Sequence, residues 1–286
     1  MDRRERLAAI FADTQDYYRE NETLAAAVRL GIKNTKFYPA DAYPPIVRVT
    51  AKPEEITVSR RKTFEAAMLL QAEYPNKKVT VLNFASATNP GGGVKNGSSA
   101  QEESLCRCST LYPALNQQRL WDCYYLPNRA SGDALHTDAC IYTPFVTICK
   151  TDEDYPQRLA EEDFVAVDVV TCAAPNLRSQ PANIHNPGDG AAVRISVKEL
   201  YELHLNRAKH ILHVAAANGT EVFVLGAFGC GAFRNDPAVV AKAYADALTE
   251  YAQYFDRIDF AIYCRDWETE NYDAFKRVLG KQPSCL

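Results

Sequence analysis

The stretch DFVAVDVVTCAAP, residues 163–175, constrains the fold most, because it is apolar at nearly every position rather than at every second one. A strand with one wet face alternates, whereas a strand covered on both faces does not. This chain must therefore place structure above and below a central sheet. Further strand candidates are KKVTVLNFA (77–85), ACIYTPFVTICK (139–150), TEVFVL (220–225) and RIDFAIYC (257–264). Between them lie helical patterns: RKTFEAAMLLQAEY (61–74), QEESLCRCSTLYPAL (101–115), a long helix over 191–219 capped by Gly219, PAVVAKAYADALTEYAQYF (237–255) and NYDAFKRVLG (271–280). Strands alternating with helices predict a layered α/β domain with a largely parallel sheet.

The opening MDRRERLAAIFADTQDYYRE reads as a surface helix, since it has no uninterrupted apolar core or cleavage site of a secretion signal. FYPADAYPP follows as an extended, proline-rich connector. The expected division is an N-terminal helical extension over 1–50 packed on a catalytic domain over 51–286. At 286 residues and 47% hydrophobic, the chain can bury a full core. Its formal charge of -4, without a block of like charges, argues against general DNA binding, and no apolar run is long enough for a membrane. Nine cysteines lie scattered, several inside strand or helix patterns, as free thiols do in a reducing, cytoplasmic setting. There is no CxxC, and His204, His210 and His213 share one helical segment as surface or core histidines, so no metal is expected.

Seven of the 13 glycines fall in two turns, Gly91, Gly92, Gly93 and Gly97, then Gly226, Gly229 and Gly231. Each turn follows an apolar strand and precedes a helix, where open α/β sheets bind ligands and where bare N–H groups can hold phosphate. Neither turn matches a Walker or dinucleotide fingerprint. The first, NPGGGVKNGSSAQEESL, runs into two adjacent acids. Two readings of Glu102 stay open: Ser99 and Glu102 fit a capping box, or Glu102 belongs to a site. Adjacent helical residues project about 100° apart, so if Glu102 faces the cap, Glu103 faces the glycine turn.

GGG, VKNGSSA and QEE together resemble the motif of the poly(ADP-ribose) glycohydrolases, and LNFASATNPGGG, ESLCRCSTLY, CAAPNLR and GAFGCGAFRNDP are similar to the microbial type of that family. The similarity runs from about Lys62 to Asp266; Ser98 and Ser99 depart from the motif and leave its spacing intact. The resemblance implies a macrodomain-like three-layer α/β/α sandwich with a mixed, largely parallel sheet and an N-terminal helical extension. It implies hydrolysis of the ribose–ribose bond of poly(ADP-ribose), releasing ADP-ribose, with no cofactor. Glu103 would be the catalytic acid and base, Glu102 would bind ribose hydroxyls, and Gln101 would brace the pair. Gly91, Gly92, Gly93 and Asn89 would line the first turn, with Asn83 a lesser candidate than Asn89. Gly226, Ala227, Phe228, Gly229, Cys230 and Gly231 would form the diphosphate turn, Phe228 packing on the distal ribose. Lys95, Arg178 and Arg234 read as ordinary surface cations. Partners would be poly(ADP-ribose) or an ADP-ribosylated macromolecule, with ADP-ribose as product ligand. Hydrolysis of single ADP-ribose units from protein or nucleic acid, and ADP-ribose binding without catalysis, are the alternatives.

Overall fold

The computed structural model describes residues 2–47, 55–184 and 187–280. The strands are β1 (Lys36–Tyr38), β2 (Glu55–Ser59), β3 (Val79–Ala85), β4 (Cys140–Ile148), β5 (Val165–Ala173), β6 (Val222–Leu225) and β7 (Arg257–Ala261). The helices are α1 (Arg3–Glu20), α2 (Glu22–Asn34), α3 (Thr63–Glu73), α4 (Gln101–Cys108), α5 (Leu111–Leu115), α6 (Gln118–Leu120), α7 (Leu126–Ser131), α8 (Val197–Ala217), α9 (Pro237–Tyr251) and α10 (Glu270–Leu279). One sheet runs β1-β4-β5-β3-β6-β7-β2. Its β1–β4 and β4–β5 junctions are antiparallel, and the other four are parallel.

The continuous apolar strands are covered on both faces, as expected. Along β6, Val222 and Val224 enter one core while Phe223 and Leu225 enter the other. In β5, Val167 and Val169 face one way, Val170 and Cys172 the other. Ile211 and Leu212 of α8, Tyr244 of α9 and Phe275 of α10 fill the first layer. Phe64 and Leu70 of α3, Leu105 of α4 and Phe11 of α1 fill the second. The result is a three-layer α/β/α sandwich.

Several local expectations are corrected. The helix expected over the opening twenty residues is α1, and a second helix that was not expected follows it, because Asn21 ends α1 and its side chain accepts from Leu24 N to start α2. The connector begins as a strand, with Lys36–Tyr38 paired to β4, and it is then held from the side by two histidines. His210 Nε2 lies 3.0 Å from Ala42 O and His213 Nε2 lies 2.7 Å from Pro44 O. The helix expected over 101–115 breaks at Ser109, whose Oγ donates to Leu105 O (2.8 Å) and accepts from Leu111 N (3.2 Å). The long helix starts at Val197 rather than 191, where Ser196 and Glu199 form a capping box. The expected boundary near residue 50 lies outside the described residues.

The N-terminal helices are built into the core. Phe11 is buried and meets Tyr112 edge-on, with ring centroids 5.0 Å apart. Phe11→Ala should cost about 3–5 kcal/mol of stability in chemical denaturation, as for a buried aromatic. A loss below about 1 kcal/mol would mean that α1 is only draped over the surface.

Candidate active site

Both glycine turns sit at the carboxyl ends of their strands and open into one cavity of about 1030 Å³. Helix α4 begins at its edge. Its N-cap is Ala100, without a side-chain cap, so the Ser99–Glu102 capping box, one of the two readings of Glu102, is not formed. The cause is register: with the cap one residue later than expected, Glu102 falls on the second helical position and reaches back to β3 instead. Ser86 N donates to Glu102 Oε2 at 2.8 Å and Asn83 Nδ2 donates to Oε1 at 3.3 Å. Glu103, one step around the helix, turns to the glycine turn, where Gly93 N donates to its Oε1 at 2.9 Å. Its other oxygen, Oε2, is buried and makes no hydrogen bond.

The bare backbone of the GGG run is required by this contact. Gly92 has a left-handed φ of +55°, and a Cβ there would lie 2.5 Å from Glu103 Oε1 and 3.2 Å from Glu102 Oε2. Any side chain would collide with the carboxylate pair. Gln101 fixes α4 beneath them. It accepts from Phe84 N (2.8 Å) and donates to Leu82 O (2.8 Å) and Thr63 Oγ1 (3.1 Å), so its amide is committed to β3 and α3.

Both carboxylates are buried, Glu102 at 3% and Glu103 at 8% exposure. Burial first, then the neighbouring Glu103 carboxylate, push Glu102 up to about 8, against the lowering effect of its bonds from Ser86, Asn83 and Gly91. Glu102 therefore carries a proton at neutral pH in the free protein.

Of the expected site residues, Gly92, Gly93, Gln101, Glu102, Glu103, Ala227, Gly229 and Gly231 line the cavity. The others are placed elsewhere. Gly91 packs on Tyr112 and Cys106 below the turn, and Gly226 abuts Phe84 and the Ala261 carbonyl. Asn89 is turned away, its Oδ1 accepting from the Arg129 guanidinium. Asn83, not Asn89, touches the carboxylate pair. Phe228 is fully buried in the α8–α9 core, edge-on to Phe84 and His204, and Cys230 is buried beside it. Phe228 is thus a core aromatic rather than a wall of the cavity.

Phe233 of the same turn does line the cavity, and the sequence reading missed it. Its signal was the repeated Ala-Phe of GAFGCGAF: the chain reverses between the two, so one phenyl goes inward and the other stays at the cavity. Arg178 lies over the Phe233 ring at 5.5 Å and also lines the cavity. Lys95 instead lies over Tyr112 and Arg234 is exposed. Phe84 and Ser86, at the end of β3, were missed as well. Among the described residues no group of three or more His, Cys, Asp or Glu is placed to hold a metal ion. His204 instead bonds Asn235 at 2.8 Å.

A cleft at the ends of parallel strands, floored by a buried carboxylate pair and walled by two glycine turns, defines a ligand-binding α/β protein equipped for acid–base chemistry. Residues 7–151 match the family described as microbial-type poly(ADP-ribose) glycohydrolase, catalytic domain. Similar solved structures include poly(ADP-ribose) glycohydrolase from Thermomonospora curvata, 31% identical with a TM-score of 0.81 over 96% of this chain and 99% of that one. The same enzyme bound to the inhibitor ADP-HPD is 29% identical, with a TM-score of 0.77 over 96% and 99%. The Deinococcus radiodurans enzyme in complex with ADP-ribose is 33% identical, with a TM-score of 0.75 over 90% of this chain and 98% of that one. No curated protein matches. The chain belongs to the microbial-type poly(ADP-ribose) glycohydrolase family, and its sandwich is the macrodomain-like fold of those structures.

Glu102 yields a pH test. A carboxyl raised above its ordinary 4.5 adds stability that is fully present below about pH 4.5 and lost as pH rises through about 8. Denaturation across that window should show the wild type losing stability and Glu102→Gln lacking the loss. Parallel profiles for the two proteins would mean that Glu102 ionises in place without cost.

Proposed function

We propose that this protein hydrolyses the ribose–ribose O-glycosidic bond of poly(ADP-ribose) and releases ADP-ribose, with Glu103 as general acid and base. The observation that carries the assignment of roles is Glu103 Oε2, a buried carboxylate oxygen with no hydrogen bond of its own, on a residue that lines the cavity. An unsatisfied buried acceptor is costly, and a substrate hydroxyl satisfies it by donating, while the protonated carboxyl donates to the glycosidic oxygen. The membership of the family and the ADP-ribose and ADP-HPD complexes of its relatives support the substrate class.

In the reaction the C1″–O bond breaks and the departing ribose oxygen takes a proton from Glu103, which holds it in the substrate complex. Positive charge develops on the ring carbon and its oxygen. Glu103, now ionised, takes a proton from the water that adds to C1″, and the enzyme is restored. Gly93 N holds the other Glu103 oxygen, so rotation of the carboxyl is restrained and Oε2 stays on the substrate side. Glu102, raised by burial so that it keeps its proton, is a donor to ribose oxygens. The turn over 226–231 supplies N–H groups to the diphosphate, and Phe233 offers an apolar face to the bound unit. The described part of the N-terminal extension, residues 2–47, acts with the catalytic domain as a packed element. The thiols among the described residues are free and six are buried, which suits a reducing, cytoplasmic setting; no helix among the described residues is long and apolar enough to cross a membrane.

Glu103→Gln should lower polymer cleavage by about two to four orders of magnitude while ADP-ribose still binds in calorimetry. Wild-type turnover in that variant would remove Glu103 from the mechanism. Gly92→Ala, which crowds Glu103 Oε1, should lower kcat by about a hundred-fold with the fold retained by circular dichroism. An unchanged kcat would show that the turn adapts and that the close approach is incidental. Release of single units from protein or nucleic acid, with polymer left intact, would overturn the choice of substrate.

A further inference from the structure

The cavity has two walls that belong to opposite layers of the sandwich. The 226–231 turn rests on the α8–α9 side, through Phe228 and Cys230. The 91–100 turn and α4 lie on the other side, backed by α1. Arg3 and Arg4, in the first turn of α1, line the cavity with Glu103.

What seats them is a backbone contact. Gly97 has a left-handed φ of +71°, and a Cβ there would lie 2.0 Å from the Arg4 carbonyl oxygen. Only a glycine lets α1 rest directly on the turn that binds Glu103. The same corner is tied from behind. Thr14 Oγ1 of α1 donates to Arg107 O at 2.6 Å, and the buried Arg107 guanidinium donates to Ser98 O at 2.6 Å. The start of α1 is therefore a fixed part of the catalytic wall.

Arg3 and Arg4 are exposed, and among the described residues neither makes a hydrogen bond or ion pair through its side chain. The acids on the same rim are occupied. Asp152 Oδ2 accepts from Phe64 N at 3.1 Å, Asp154 pairs with Lys62 at 3.5 Å, and Glu153 Oε2 accepts from Thr151 Oγ1 at 3.3 Å. Two unpaired guanidinium groups thus stand in a cavity whose buried carboxylate oxygen also lacks a partner.

We propose that Arg3 and Arg4 form a subsite for the diphosphate on the leaving side of the scissile bond. The inference rests on the glycohydrolase reading. When the unit to be released spans from Glu103 to the 226–231 turn, the remaining polymer has to depart over the opposite wall, where α1 begins. The leaving ribose carries a diphosphate through its own 5′ carbon, and a guanidinium fork matches phosphate oxygens. ADP-ribose alone has no group in that position. The subsite therefore distinguishes polymer from product.

The test uses Glu103→Gln protein, which holds substrate without turnover, with and without Arg3→Glu and Arg4→Glu. Acidic residues in a first helical turn favour the helix, so α1 is retained. Affinities are measured for ADP-ribose and for a poly(ADP-ribose) oligomer of defined length, at two salt concentrations. The added substitutions should weaken oligomer binding by roughly ten-fold at low salt and flatten its salt dependence, with ADP-ribose affinity unchanged. Arg29→Glu with Lys33→Glu, an equal charge change on α2 away from the cavity, should leave both affinities alone. Unchanged oligomer binding, a parallel loss of ADP-ribose binding, or an equal effect from the α2 pair would overturn the subsite. If the wild type fails to cleave polymer but the oligomer-selective loss is seen, the subsite stands and the glycohydrolase reading falls.

Discussion

The hydrogen bond from Gly93 N to Glu103 Oε1 is the contact on which the site depends, and it exists because the residue before it has no side chain. The glycine turn is therefore more than a hinge between β3 and α4. It brings peptide N–H groups against an acid on the first turn of the following helix, and it holds one carboxylate oxygen while the other makes no hydrogen bond. The remainder of the fold serves to make that approach repeatable. β3 is central in the sheet, α4 is pinned to it by Gln101, and Tyr112 and Cys106 support the turn from below.

The electrostatics follow from the same crowding. Two carboxyl groups on successive residues, both buried, cannot both ionise cheaply, and the cost falls visibly on Glu102. Glu102 is bound to the end of β3, whereas Glu103 Oε2 makes no hydrogen bond. The expectation that Glu103 faces the glycine turn holds, although the argument through a capping box does not.

How much of this was legible in the sequence differs by scale. The covered strands were readable because β5 and β6 leave no polar face, and the glycine turns were readable because few other functions need so many bare positions. Short edge strands were not. β1 spans three residues, and its pairing with β4 is set by contacts about a hundred positions away. The pattern S-x-x-E occurs at Ser99–Glu102 and at Ser196–Glu199, yet only the second forms a capping box. Which one forms is decided by where the chain enters the helix, and tertiary packing fixes that. Phe228 and Phe233 share the same local context, so their opposite fates emerge only once the turn is folded. Arg3 and Arg4 look like ordinary surface cations until Gly97 is seen to let their helix rest on the glycine turn.

The central claim is that the unpartnered oxygen of Glu103 is the atom that meets the glycosidic bond. A crystal structure of this protein with ADP-ribose tests it directly, because the anomeric hydroxyl of the distal ribose marks the position of the departing oxygen. The account predicts that hydroxyl within hydrogen-bonding distance of Glu103 Oε2, with the diphosphate on the N–H groups of the 226–231 turn. A bound ADP-ribose whose anomeric hydroxyl points elsewhere, with Oε2 still unpaired, would contradict it.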